Sequence, residues 1–185
     1  MRNPGSRYER TRHNVGAEVV AALAERHDAR FKKAPRFVRA EVSELHLAGA
    51  RVVLAVPRTF MNESGQAVAP LVRYYRTPAD ELLVVHDDID LPFAKLRVQE
   101  DRGPGGNNGV RSIIRSLGSQ EFWRLKIGVG RPPGRQNPAD YVLRPFSTQE
   151  RPEIDLSIQL AADVIETFVA EGGDAARQRA GELNA

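Results

Sequence analysis

The sequence is organised around residues 81–92, which read ELLVVHDDIDLP. Four consecutive apolar residues, 82–85, predict a short strand that is buried on both faces. A histidine and three aspartates follow within the next five residues. Because ligands of open α/β sheets bind beyond the carboxyl ends of the strands, this strand end is a candidate site. Acidic residues also end strands in solvated turns, so we assign that ordinary role to two of the aspartates and a functional role to Asp87.

The composition is that of a single globular domain. The chain has 185 residues, of which 41% are hydrophobic and 28% charged, and it is long enough to bury a core. It has no cysteines, which excludes disulfides, thiolate metal sites and cysteine nucleophiles. No apolar run approaches the ~18 residues of a membrane span and no signal peptide is recognisable, so we expect a cytoplasmic protein without a membrane partner. The net charge of +3 does not by itself indicate a nucleic-acid partner.

Segments with the apolar spacing of helices alternate with segments typical of strands. We predict helices at about 15–26, 68–76, 110–117 and 154–170, and strands at 37–47, 51–56, 82–85, 95–99 and 122–130. The first two strands are expected to form a hairpin, whereas residues 140–143 are ambiguous. This order predicts a three-layer α/β domain, residues 1–173, with a central mixed sheet that is flanked by helices and made mixed by the hairpin. Residues 174–185 are expected to be a loosely attached polar tail.

Polar side chains gather in the loops at strand and helix ends. One loop holds Asn3 and His13, another holds Asn62, and Asp87 and Asn108 follow two later elements. The histidines lack metal-ligand spacing, and no serine lies in a nucleophile-elbow pattern. A His–Asp pair without a nucleophilic side chain suits water as the nucleophile, with imidazole as the base, which indicates a hydrolase of an ester or amide. The alternatives are a surface or capping role for His13 and a helix-capping role for Asn62 or Ser64.

Six motifs resemble those of bacterial peptidyl-tRNA hydrolases and occur in the same order. They are NPGSRYERTRHNVG (3–16), TFMNESG (59–65), HDDIDLP (86–92), GGNNG (105–109), RLKIGVGRP (124–132) and DYVL (140–143). Each motif alone is a weak signal, but the ordered set is highly specific. The resemblance implies an esterase, free of metal and cofactor, that releases the peptide from the 3′ ribose of peptidyl-tRNA and recycles tRNA from aborted translation.

The resemblance also implies roles for individual residues. His13 activates the water and Asp87 orients it, while substrate binding is expected from Asn3, Tyr8, Phe60, Asn62 and Asn108. Two basic positions that contact tRNA phosphates in the family are matched by Arg97 and Lys126. For each of these two residues, a solvated strand charge is the alternative interpretation.

The sequence departs from the family pattern at two places. Its first two residues stand where the family has a hydrophobic strand ending in Gly-Leu-Gly, so the sheet is expected to lack that strand. We therefore expect the natural start to lie upstream, and Asn3 and His13 to lack support. Asn107 stands where the family has histidine, and Gln99 where a basic residue is common. These two departures weaken the expected tRNA contacts but not the His13–Asp87 chemistry.

Three hypotheses remain at this point. The first is an active, monomeric peptidyl-tRNA hydrolase whose partner is peptidyl-tRNA. The second is a non-catalytic RNA-binding protein on the same fold, like the plant chloroplast splicing factors that resemble the family. Retention of His13, Asp87, Asn62 and Asn108 argues against it. The third is a poorly folded product that lacks its first strand.

Overall fold

The computed structural model describes residues 1–100 and 102–184. Its helices are α1 (Val15–Arg26), α2 (Gly65–Tyr75), α3 (Asn108–Leu117), α4 (Pro138–Val142), α5 (Arg151–Glu171) and α6 (Gly173–Glu182). Its strands are β1 (Lys32–Lys33), β2 (Ala40–Leu47), β3 (Ala50–Pro57), β4 (Leu83–Asp88), β5 (Leu96–Gln99) and β6 (Trp123–Gly128). Short 3₁₀ turns span Ser6–Tyr8, Arg12–Asn14, Met61–Glu63 and Ala79–Glu81.

The strands form two three-stranded sheets. The first is antiparallel with order β1-β2-β3, and its β2–β3 hairpin pairs Ala40 with Pro57 at one end and Leu47 with Ala50 at the other. The second has order β4-β6-β5, in which β6 is parallel to β4 and antiparallel to β5. The predicted α/β class with a mixed sheet is confirmed. The antiparallel member of that sheet is β5, however, and the hairpin lies in the other sheet.

The first two residues lie between the two sheets. The Met1 amine donates a hydrogen bond to the Val85 carbonyl of β4 (2.9 Å), and Arg2 Nε donates to the Pro57 carbonyl of β3 (3.2 Å). Arg2 also forms an ion pair with Glu41 of β2 at 3.0 Å. These contacts connect β3 with β4, which no strand ladder joins within the described residues.

Helices cover both faces of the mixed sheet. Successive side chains of a strand point to opposite faces. Val85 accordingly packs in the cluster that α1, α5 and α6 share, and Val84 packs against Val110 and Ile113 of α3 on the other side. A third apolar cluster packs β2 against α2. The predicted three layers are thus present. Within residues 1–100 and 102–184, no helix is both long enough and apolar enough to cross a bilayer.

Strand β4 is longer than its apolar run. It continues to Asp88 because its polar residues extend the parallel ladder with β6 as far as Gly128. His86 and Asp87 are buried within this strand. A prediction from hydropathy ends the strand at residue 85, which is too early. Buried polar groups have specific hydrogen-bond partners, and the hydropathy pattern does not show these.

Most of the predicted tail belongs to the packed helix α6, so the prediction of a loosely attached polar tail is wrong for residues 174–182, whereas Ala185 lies outside the described residues. Ala176 and Ala180, four residues apart, are buried on one face of α6. Gly173 lies so close to the Trp123 ring that a Cβ there would be 2.1 Å from ring atoms. Asn184 donates to the Leu96 carbonyl (2.6 Å) and accepts from its amide (2.9 Å). Helix α6 packs through small residues rather than large apolar ones. The hydropathy of this polar segment therefore does not predict that the helix is packed.

Two further elements were ambiguous or missed. Residues 140–143 mostly belong to α4, whose cap is Asn137, accepting from the Ala139 amide at 2.9 Å. Strand β1 was not predicted, because two exposed lysines paired with the edge of β2 are too short for a recognisable pattern.

Candidate active site

His13 and Asp87 form a hydrogen-bonded pair at the edge of the mixed sheet. His13 lies in the turn Arg12–Asn14, immediately before α1, and Asp87 lies in β4. His13 Nδ1 is 2.8 Å from Asp87 Oδ1 and 2.9 Å from Oδ2. The Asp87 side chain is 3% exposed and that of His13 is 14% exposed. Because a carboxylate only accepts, Nδ1 carries the proton and Nε2 is the basic nitrogen.

Gly16 allows the start of α1 to approach β4. A Cβ at this position would lie 2.3 Å from the Val85 carbonyl oxygen, closer than any side chain tolerates. Since Gly16 is three residues after His13 and Val85 is two residues before Asp87, this close approach brings the imidazole to the carboxylate.

Arg12 anchors the turn that presents His13. Its Nη2 donates to both oxygens of Glu150, at 2.7 and 2.8 Å, and its Nη1 donates to the Pro145 carbonyl at 2.6 Å. The guanidinium carbon lies 4.2 Å from the centre of the Tyr141 ring. Arg12 is buried, so this set of contacts compensates the loss of water around its charge. The contacts tie the His13 turn to the chain that leads into α5.

His86 lies behind the pair and is neutral at neutral pH. Burial lowers the pKa of His86 to about 4, and this effect outweighs the opposing attraction of Asp87. Its Nδ1 donates to the Asp87 carbonyl at 2.6 Å. Its Nε2 is buried and has no hydrogen-bond partner within the described residues. His86 therefore does not compete with His13 for an ion pair with the Asp87 carboxylate.

Asn3 is held in the site by two neighbours. The Asn3 backbone amide donates to Asn14 Oδ1 (2.7 Å), and Asn14 Nδ2 donates to the Asn3 backbone carbonyl (2.9 Å). The Met61 amide donates to Asn3 Oδ1 at 2.8 Å, which leaves Asn3 Nδ2 as a donor. The expectation that Asn3 and His13 lack support is therefore wrong. Asn14, next to His13, supplies that support, and sequence reasoning assigned it no role.

Of three further expected substrate-binding residues, Phe60 and Asn62 are exposed and Tyr8 is half-buried. Phe60 is 49% exposed, and its ring packs edge-to-face with the Tyr8 ring, with 6.3 Å between the ring centroids. Asn62 is exposed in the turn Met61–Glu63. The N-cap of α2 is Ser64, and no side-chain hydrogen bond caps this helix, so the capping interpretation of Asn62 is wrong. Its amide is thus available at the surface.

Two asparagines lie at the start of α3, Asn107 as its N-cap and Asn108 as its first residue. Asn108 is exposed and accepts a hydrogen bond from Arg111 Nη1 at 3.1 Å. Asn107 contacts the His13–Asp87 pair directly, with its Nδ2 3.2 Å from Asp87 Oδ1. Sequence reasoning treated Asn107 only as a departure from the family. Its place before a helix is a capping signal, but nothing in the sequence indicates that this helix begins beside Asp87.

Arg97 and Lys126 are cross-strand neighbours on β5 and β6. Arg97 is exposed, whereas Lys126 Nζ lies 2.9 Å from Asp88 Oδ2. Burial would raise the pKa of Asp88, but the hydrogen bonds from Lys126 and the Asp90 amide outweigh it, so the pKa is lowered from its usual value. Asp90 pairs with Arg131. Only the exposed Asp90 thus lies in the solvated turn expected of two of the aspartates, whereas Asp88 is a largely buried strand residue that pairs with Lys126.

The site combines a basic nitrogen, a buried carboxylate that orients it, and several amide donors. This arrangement can take a proton from water and stabilise charge on an attacked carbonyl. Among the residues that the structure describes, no group of three or more histidine, aspartate and glutamate side chains is arranged to hold a metal ion.

Comparisons with known proteins agree in one family. The family model for peptidyl-tRNA hydrolase matches residues 1–184. The chain is 48% identical over 177 residues to a peptidyl-tRNA hydrolase of Rhodococcus erythropolis, covering 96% of this chain and 93% of that one. It is 49% identical over 178 residues to one of Chloroflexus aggregans, covering 96% and 94%. A crystal structure of peptidyl-tRNA hydrolase from Acinetobacter baumannii superposes with a TM-score of 0.90 at 31% identity, covering 97% of this chain and 90% of that one. The chain belongs to the peptidyl-tRNA hydrolase family.

Proposed function

We propose that the protein hydrolyses the ester bond between the peptide and the 3′ ribose in peptidyl-tRNA, and so recycles tRNA from aborted translation. Family membership supports the reaction class. The observation on which the proposal depends is the hydrogen bond of 2.8 Å between His13 and the buried Asp87. A protein that only binds RNA would not need an imidazole oriented by a buried carboxylate in this way.

In the proposed mechanism, His13 Nε2 takes a proton from a water molecule while the water oxygen attacks the ester carbonyl carbon. Asp87 keeps the proton on Nδ1 and stabilises the imidazolium that forms. The tetrahedral intermediate then collapses, the bond to the ribose 3′ oxygen breaks, and that oxygen takes the proton from Nε2. The products are a peptide with a free carboxyl group and a tRNA with a free 3′ hydroxyl.

Amide side chains are proposed to bind the peptide end and the attacked carbonyl. Asn3 suits this role because its oxygen is occupied by the Met61 amide, so that its Nδ2 donates. Asn62 and Asn108 are exposed, so each can reach a bound substrate. The exposed Phe60 ring, in edge contact with Tyr8, provides apolar surface for the substrate.

Arg97 and Lys126 are proposed to contact tRNA phosphates. Arg97 is exposed and can form the planar, two-pronged contact that phosphate accepts. Lys126 shares its charge with Asp88, so its contribution is expected to be smaller. Both residues bind the tRNA body rather than the reacting ester, and their removal is expected to change affinity more than chemistry.

The test is incubation of the purified chain with tRNA that carries a labelled N-acetylated peptide on its 3′ end. The proposal predicts release of the labelled acid and of deacylated tRNA, at a rate that EDTA does not change. Binding of the same tRNA without cleavage would contradict it and favour the RNA-binding alternative. We also propose a cytoplasmic location, since translation supplies the substrate there. We further propose that the protein is a monomer, and a dimer mass in light scattering would contradict this.

A further inference from the structure

Asn107 connects the first turn of α3 to the carboxylate that contacts His13. Its Oδ1 accepts from the Gly109 and Val110 amides, at 3.0 and 3.2 Å, and caps the helix. Its Nδ2 lies 3.2 Å from Asp87 Oδ1, the oxygen that His13 Nδ1 approaches at 2.8 Å. The Asn107 side chain thus caps α3 with its amide oxygen and contacts the Asp87 carboxylate with its amide nitrogen.

The cap fixes which end of the Asn107 amide faces Asp87. Backbone N–H groups only donate, so the atom beside Gly109 and Val110 must be the oxygen. The NH₂ group is then the atom that faces Asp87, which accepts when ionised. Both contacts therefore agree on one orientation of the amide.

The Asn107 backbone is also held on both sides. Its amide donates to the Pro104 carbonyl at 3.0 Å, and its carbonyl accepts the first helical hydrogen bond, from Arg111, at 3.1 Å. Upstream, Arg124 Nη1 donates to the Gly103 carbonyl at 3.0 Å and ties the loop to β6. Because β6 pairs with β4, the loop and Asp87 are held by the same sheet.

We propose that Asn107 is a positioning residue that holds the Asp87 carboxylate oriented toward His13, an inference that rests on the proposed function. Two donors converge on one carboxylate oxygen, which restricts rotation of the group. Asn107 acts through Asp87 and does not touch the reacting ester.

The competing role is that of a helix cap alone, and substitutions separate the two. Asn107→Ser and Asn107→Asp keep an oxygen that can cap α3, so the thermal midpoint should remain close to that of the parent. Serine is too short to reach Asp87, and aspartate replaces the donor by a second carboxylate. Asn107→Ala loses both contacts and should also lower the thermal midpoint. Gln120→Glu, an amide-to-carboxylate change at an exposed residue after α3, is the matched control.

We expect kcat to fall about tenfold or more in Asn107→Ser, the effect of a lost hydrogen bond to a charged group, with KM little changed. In Asn107→Asp, the donor is replaced by a second carboxylate that repels Asp87, so kcat should fall at least as far as in Asn107→Ser. Gln120→Glu should match the parent in kcat and KM. The proposal is overturned if Asn107→Ser and Asn107→Asp both retain the parent kcat.

A measurement without catalysis distinguishes failure of this inference from failure of the proposed function. In ¹⁵N-labelled protein, the Asn107 side-chain NH₂ signals should shift when Asp87 is changed to asparagine. If the parent does not cleave peptidyl-tRNA but these signals shift, the proposed function fails and the contact stands. If the signals do not respond to Asp87→Asn, the positioning role is refuted whatever the activity.

Discussion

His13 and Asp87 are 74 positions apart in the chain, yet Nδ1 of the imidazole lies 2.8 Å from Oδ1 of the carboxylate. Two local features produce this contact. Gly16 lets α1 start against β4, and Arg12 fixes the intervening turn on the chain leading into α5. The carboxylate is almost fully buried, so its attraction for the Nδ1 proton is weakly screened by water. The pair therefore has one defined tautomer, with Nε2 available as the base.

Asp87→Asn should reduce kcat by about 10²–10⁴-fold with little change in KM. The amide can donate to Nδ1, which would stabilise the wrong tautomer and move the proton to Nε2. Steady-state hydrolysis of peptidyl-tRNA measures the effect. Asp90→Asn, the same change at an exposed residue paired with Arg131, is the control and should leave kcat at the parent level. An unchanged rate in Asp87→Asn would reduce Asp87 to a buried strand residue.

The sequence identified both members of this pair, because a strand end and a helix start are visible in the hydropathy pattern and the motifs name them. It did not identify Asn14 and Asn107, whose roles depend on which loops meet in space. Asn14 reaches back to Asn3, and Asn107 reaches a strand end about 20 positions earlier. Contacts of that kind leave no periodic signal in the sequence. A capping asparagine can be recognised from its position before a helix, but that position does not show which other residues its side chain contacts.

The stability of the protein should fall as the pH falls from about 6.5 to 4, through His86. Folding lowers the pKa of His86 from 6.5 to about 4, so in this window the unfolded state binds more protons than the folded state. The contribution is fully present above pH 6.5 and is lost toward pH 4, on the order of 3 kcal/mol in total. Urea unfolding at several pH values measures it.

His86→Asn should reduce the slope of this pH dependence without removing it, because the buried Met1 amine, whose pKa burial lowers to about 5, titrates in an overlapping range. His46→Asn, the same change at an exposed histidine, is the control and should leave the slope as in the parent. Equal slopes in the parent and in His86→Asn would show that His86 titrates alike in both states.

Arg12 and Glu150 should be energetically coupled in a double-mutant cycle of Arg12→Met and Glu150→Gln. Arg12 Nη2 donates to both Glu150 oxygens from a buried guanidinium, so the two losses should not add, and a coupling of roughly 1–3 kcal/mol is expected from the unfolding free energies. The exposed pair Arg179–Glu182, 3.7 Å apart, is the control and should couple by less than about 0.5 kcal/mol. Additive losses at Arg12 and Glu150 would remove this pair as the anchor of the His13 turn.

Arg97→Ala should raise KM and reduce the salt dependence of log KM by a slope of about 0.9, the value for one phosphate contact. Lys126→Ala should act in the same direction by a smaller amount, because Lys126 already pairs with Asp88. Measurement of kcat and KM between low and moderate salt separates affinity from chemistry. Arg30→Ala is the control, since Arg30 is exposed beyond the opposite end of α1 from His13. A fall in kcat at constant KM would contradict a phosphate contact by Arg97.

The limits of prediction for the fold have a similar physical origin. The apolar run of β4 and the periodicity of α1 and α5 were sufficient to predict the α/β class. The polar end of β4 and the helix α6 were not predicted, because His86 is buried by tertiary packing and α6 packs through Ala176 and Ala180 rather than through large apolar side chains. The division into two sheets also depends on strand pairing across long separations, which hydropathy does not encode.

The role of His13 as the base is tested by comparing peptidyl-tRNA hydrolysis and tRNA affinity in the parent and in His13→Ala. We expect that the parent cleaves, that His13→Ala loses about 10²–10⁴-fold in kcat, and that its Kd for tRNA remains within about twofold of the parent value. His46→Ala should behave as the parent. Turnover by His13→Ala at the parent rate, with His13→Ala properly folded by circular dichroism, would show that His13 is not the base.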